Sequence, residues 1–205
     1  MRELSRVFAN QGTILPAHIS RLCVLYEDLR IEILAAAELS IPLLDITDEH
    51  YRRHYFLRRC IATLFEFAET LRLLNKCGEF HIVRSTFTPP LVKHWDDAVL
   101  FFGKHEALLE LVRNDIGGHF GLKAAVYGLA NVDATNPEEI EVREGNVHLH
   151  FAGEIAAAAT MRHLQGSTIE QRFERFMQTV IVPAFEHSTK SVQCVVFAYL
   201  WKQFG

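Results

Sequence analysis

Arg113, Asn114 and His119 are the residues whose types and spacing are best suited to chemistry in this chain. Arginine stays charged at any working pH and holds an anion with a planar fork of donors. Histidine titrates near neutrality, so it can take up or release a proton during a reaction. Asparagine offers a donor and an acceptor that position either neighbour. The three lie in the string Arg113-Asn-Asp-Ile-Gly-Gly-His119.

Two helices must position them. Leu91, Trp95, Ala98, Phe102, Leu109 and Val112, with His105 in the remaining place, recur in alternating steps of four and three, which puts them on one helical face. Thr88 is a capping residue, and Pro89 and Pro90 are tolerated in a first turn. The spacing predicts a helix over 91–114, roughly 35 Å long at 1.5 Å per residue. It should end near Asp115, because Gly117 and Gly118 are poor helix formers. Phe120, Leu122, Ala124, Ala125, Val126 and Leu129 then suggest a shorter helix from about His119. Arg113 would sit in the last turn of one helix and His119 near the first turn of the next, a junction that can bring the two side chains together.

Further helices are expected on both sides. Pro16–Leu39 carries Ile19, Leu22, Leu25 or Tyr26, Leu29 and Ile33 on its inner side, and Pro42 breaks it. Thr47 or Asp48 caps a second helix whose stripe includes Ile61, Leu64, Ala68 and Leu71, with Gly78 ending it. Glu79–Thr88 reads as a connection with a brief extended piece at Phe80–Val83. After the turn-rich Asn131–Glu138, alternation around Glu144-Gly145-Asn146 predicts a β-hairpin reaching Phe151. Ala152–Leu164 reads as a short helix. Ser167-Thr-Ile-Glu170 fits a capping box for the last helix, which Pro183 should kink or divide. The expected fold is mostly α: one domain over 1–205, with a bundle of long helices at 16–130, and a small β-hairpin plus additional C-terminal helices at 131–205.

Composition narrows the classes of function. A formal charge of −4 over 205 residues gives no global basic field for non-specific nucleic-acid binding, although local basic patches are compatible with it. Cys23, Cys60, Cys77 and Cys194 have no paired spacing and read as reduced thiols. The N-terminal stretch lacks the apolar core of a signal peptide, and the apolar run Ser191–Trp201 is too short for a bilayer, so a cytoplasmic protein without membrane contact is expected.

Eleven histidines make metal binding a candidate function. His50 and His54 share a helical face, but no HExxH, Glu-x-x-His or cysteine pair accompanies them, and they read as surface histidines. His148 and His150 share a face of the expected hairpin, His105 reads as a core histidine, and His187 beside Glu186 reads as solvated. No nucleophile elbow, phosphate loop or dinucleotide fingerprint occurs. No metal or cofactor is expected.

The Arg113–His119 string resembles the motif of the HEPN superfamily, in which histidine follows arginine after four to six residues, often with Asn, Asp or His directly after the arginine. It is also similar to an RN…HF signature at the end of a long helix in a group of uncharacterised bacterial HEPN-like helical proteins. Arg143 with His148 or His150 meets the same spacing but falls on the expected hairpin, whereas the family motif belongs on helices. The resemblance covers roughly Pro16–Ala130. It implies a helical bundle that often dimerises and brings two Arg/His motifs into a shared cleft. Many such proteins are metal-independent ribonucleases, while others bind nucleotides or are inactive scaffolds.

Carried over, Arg113, Asn114 and His119 would form the catalytic site, with RNA or a nucleotide as partner and a homodimer as the assembly. His119 would move protons to or from the ribose 2′-hydroxyl and the leaving oxygen, and Arg113 would hold the phosphate as its charge shifts. Asn114 would position either group, with Glu66 or Glu69 as possible support from the second helix. The alternative is a non-catalytic helical scaffold or interaction protein in which the Arg113–His119 turn is structural, the arginine meeting the helix dipole and the histidine capping a backbone group. A third reading is a bundle binding a metal or small molecule through His50 and His54.

Overall fold

The computed structural model describes residues 14–37, 49–117, 120–131, 140–143 and 146–204. The helices in chain order are α1 (Ile14–Ala37), α2 (Glu49–Lys76), α3 (Gly78–Arg84), α4 (Pro89–Val112), α5 (Leu122–Asn131), α6 (His150–Met161), α7 (Ile169–Phe176) and α8 (Val182–Phe204). One π-helical turn follows α4 at Arg113–Gly117 and another follows α7 at Met177–Ile181. Strands β1 (Ile140–Arg143) and β2 (Asn146–Leu149) pair antiparallel, with Ile140 opposite Leu149 and Glu141 opposite His148. The fold is therefore mostly α, and among the described residues no helix is long and apolar enough to cross a membrane. The break at Pro42, the cap at Thr47 or Asp48, the turn-rich stretch at 132–138 and the hairpin turn at 144–145 lie outside the described residues.

Backbone contacts group the chain into two compact units. The first draws on Met1–Leu29, Thr63–Glu106 and Val182–Gly205. Its core holds Ile19, Leu22, Leu64, Phe67, Leu71, Trp95 and Phe102, all 2% exposed or less, so the stripes read from the sequence are the buried faces. Phe80 packs 4.7 Å from the Trp95 ring and 6.2 Å edge-on from Phe87. That packing corrects the expectation of an extended piece at Phe80–Val83. In a helix, Phe80 and Val83 lie three apart on one face and both are buried, a gain that outweighs the β-preference of Ile82 and Val83. In α8, the Ser188 and Thr189 hydroxyls donate back to the carbonyls of Ala184 and Phe185, while Tyr26 stacks on Phe185 at 6.0 Å.

The second unit draws on Arg30–Ala62 and Ala107–Ile181. Its packing explains the alanine run. Ala156, Ala157, Ala158 and Ala159 in α6 are all buried, and side chains this small let neighbouring helices approach from several sides. At Gly128 in α5 the approach is closest: a Cβ there would lie 2.5 Å from the Ile155 carbonyl oxygen. α7 is capped by Thr168, whose side chain accepts from the Gln171 backbone N–H, while Gln171 Oε1 accepts from the Ser167 hydroxyl at 2.8 Å. The expected box at Ser167 and Glu170 is thus shifted by one residue, because Gln171 supplies the returning acceptor. β2 ends at Leu149, so His150 opens α6 and does not continue the strand.

Pro183 leaves its mark upstream. The helical pattern widens to a π turn at Met177–Ile181, one residue before the proline, which lacks an N–H and crowds the carbonyl of the preceding turn.

Candidate functional site

The described part of the candidate site lies within the second unit. Val112 and Ile116 are 0% and 3% exposed and anchor the turn that ends α4. Between them the helix takes a π turn, inserting extra backbone where the α pattern was expected to run on to Asn114. Arg113 and Asn114 emerge from this turn exposed, with Arg113 Nη1 donating to Asn114 Oδ1 at 3.3 Å. π turns of this kind recur at functional sites because they re-aim side chains without ending the helix. Gly118 and His119 lie outside the described residues, so Arg113 and Asn114 have a place in the structure and His119 does not.

Beyond them the chain folds back on the turn. Gly121 N–H donates to the Asp115 carbonyl at 3.4 Å, and α5 begins at Leu122, later than the expected start near His119. The delay follows from this bond: residues that close back onto α4 cannot yet wind forward into α5.

Asp115 is the hub of the turn. Its Oδ2 accepts from Arg162 Nη2 and from His163 Nε2, both in the turn just after α6. Arg162 also donates from Nη1 to the Lys123 carbonyl at 3.5 Å and lies 5.8 Å from the Tyr127 ring centre. His163 Nε2 is 2.7 Å from Arg162 Nε as well, but one ring nitrogen cannot donate to the carboxylate and accept from the guanidinium at once. The carboxylate is the stronger acceptor, so the proton on Nε2 faces Asp115. Partial burial pushes the Asp115 pKa up. The hydrogen bonds from His163 and Arg162 and their charges outweigh that and hold it below the ordinary carboxylate value.

The other sequence candidates are engaged elsewhere. Glu66 is held by Arg21, and Glu69 accepts from Arg72 at 3.0 and 2.9 Å through both oxygens. His54 is buried, 4% exposed and edge-on to Phe173 at 5.9 Å, which corrects its reading as a surface histidine. His187 is half-buried with its ring 4.7 Å from Phe101, and burial lowers its pKa, so it is not the solvated residue expected. His105 meets the same Phe101 ring at 4.6 Å and is likewise lowered by burial. Among the described residues no three His, Cys, Asp or Glu side chains converge to hold a metal ion. An apolar cavity of about 210 Å³ is lined by Ile33, Leu57, Cys60, Phe173 and Met177 among others. Burial, with the nearby Glu32 charge, pushes the Cys60 thiol far up, so Cys60 is no nucleophile.

Sequence reasoning missed Asp115, Arg162 and His163. Asp115 stood inside the motif string, but nothing in the sequence marks a partner 47 or 48 positions away. Compared with protein-family models, curated proteins and solved structures, the chain matches none of them.

Proposed function

We propose that this protein is a HEPN-like protein acting on RNA or binding a nucleotide, with Arg113, Asn114 and His119 as its working residues. The observation that carries the reading is the exposure of Arg113 and Asn114 on a π turn whose base is pinned by Asp115. A guanidinium presented to solvent from a fixed backbone can hold a phosphate without reorganising, which is where electrostatic catalysis gains most. The 2′-oxygen attacks the phosphorus and the P–O5′ bond breaks. His119 takes the 2′-hydroxyl proton or supplies one to the leaving 5′-oxygen while water exchanges the other, which yields a 2′,3′-cyclic phosphate with no metal required. Pairing of two chains would place two such turns in one cleft, and residues 131–205 would build around that core.

The second reading is a non-catalytic scaffold. One observation favours it: Asp115 ties its turn to the one just after α6 through two side chains, as a purely structural turn would require. The test compares wild type with a folded His119→Ala variant on a panel of structured RNAs, both in EDTA. Cleavage lost with His119 supports the nuclease. Absence of cleavage by wild type on every RNA removes that form of the proposal and leaves nucleotide binding or the scaffold.

A further inference from the structure

The first half of α2 carries four arginines within eight positions, Arg52, Arg53, Arg58 and Arg59, interleaved with Tyr51 and Tyr55. In a chain with net charge −4 this is a local basic stretch with aromatic spacing. Two of the arginines have structural duties. Arg52 is 2% exposed and donates to the Ala35 carbonyl at 2.5 Å, and Arg59 meets Glu32 at 3.6 Å.

Arg58 is different. Tyr51, Tyr55 and Arg58 are spaced four and three apart, so they share one face of α2. The Arg58 guanidinium carbon lies 5.9 Å from the Tyr51 ring centre, 5.9 Å from Tyr55 and 5.5 Å from Phe120. Arg58 is only 8% exposed, and its hydrogen bond among the described residues runs from Nε to the His54 carbonyl at a long 3.4 Å. Among the described residues no carboxylate pairs with it. A permanently charged fork is thus held within reach of three rings with its Nη donors unclaimed there, at a desolvation cost that cation–π contact offsets only in part.

The rings themselves are open to solvent: Tyr51 is 37% exposed, Tyr55 45% and Phe120 36%. Phe120 also connects this cluster to the Arg113 turn, because the next residue, Gly121, donates to the Asp115 carbonyl. Exposed aromatic rings around a buried guanidinium match what an unpaired nucleotide needs: π faces for its base and charge-assisted donors for its phosphate. A double helix offers no free base face, so the surface selects single strands.

We propose that Tyr51, Tyr55 and Phe120 form a stacking platform for an unpaired nucleobase, with Arg58 as its phosphate-holding cation, adjoining the Arg113–Asn114 turn. The proposal rests on the RNA or nucleotide reading above and names the form of RNA that the site takes.

Fluorescence anisotropy with a labelled 12-nucleotide oligo-adenosine tests it. The 2′-O-methyl form is used so that nothing is cleaved, with a duplex of equal length for comparison. Wild type should prefer the single strand to the duplex. The paired change Tyr51→Leu with Tyr55→Leu keeps apolar bulk, and its rings are half-exposed, so folding should survive. It should weaken single-strand binding at least about fivefold, the low end of what one lost base stack costs. Arg58→Lys, which keeps the charge but loses the planar fork, should weaken it as well. Unchanged affinity in the tyrosine pair overturns the platform. Failure of wild type to bind the single strand also overturns it, and cleavage of unmodified RNA by the same protein then shows that the Arg113–His119 reading survives alone.

Discussion

Asp115 and His163 are 48 positions apart, yet the histidine ring donates to the carboxylate and Arg162 donates to the same oxygen. The contact joins the π turn after α4 to the turn just after α6, so the candidate site inherits its rigidity from a bond made outside its own segment.

Asp115→Asn should therefore destabilise the protein by about 1–2 kcal/mol at pH 7, a reduced figure because the partners are partly solvated. The pH dependence has a defined sign. The folded-state pKa of Asp115 is depressed, so its contribution is present above the unfolded-state value near 3.8 and is lost as pH falls through the lower folded value. Urea denaturation should show a gap between wild type and Asp115→Asn that is steady from pH 5 to 7 and closes in strong acid. A gap that persists at pH 2 would contradict the carboxylate as its source.

Arg113→Ala should lower RNA cleavage at least about a hundredfold if the guanidinium stabilises the shifting phosphate charge. Arg113→Lys should recover part of that loss, since it restores the charge without the bidentate fork. Thermal denaturation should barely move in either variant, because Arg113 is exposed. Equal cleavage by all three proteins would take Arg113 out of the reaction.

Gly128 and Gly103 should respond oppositely to alanine. At Gly128 the new Cβ would meet the Ile155 backbone oxygen at 2.5 Å, so overpacking should cost about 1–3 kcal/mol despite the gain in helix propensity. At Gly103, inside α4, nothing lies within 4 Å, and the propensity gain should stabilise by about 0.5–1 kcal/mol. Melting temperatures of the two variants, which should bracket wild type, provide the check.

Thr168→Ala should cost about 1 kcal/mol through the lost cap of α7. Glu170→Ala should cost less, because Gln171, not Glu170, supplies the acceptor to Ser167. Equal losses would restore the capping box at Ser167 and Glu170.

The chain's pattern alone determined the long helices and their buried faces. Ile19, Leu22, Ile61, Leu64, Trp95, Phe102 and Leu109 repeat at helical spacing, and each lies inside. Local chemistry also marked the end of α4 to within a few residues: the regular α pattern stops at Val112 and a π turn carries the backbone on to Gly117. Tertiary structure decided the rest, wherever a residue's state depends on partners distant in sequence. Phe80 and Val83 are helical because Trp95 and Phe87 receive Phe80, and His54 is buried because Phe173 covers it. Arg58 is held beside Phe120, a residue far along the chain that nothing in the pattern of α2 marks as its neighbour. Periodicity reports which face of an element is apolar. Which other element that face meets is set by packing and long-range pairing, and those brought Asp115 to His163 and Phe120 to Arg58.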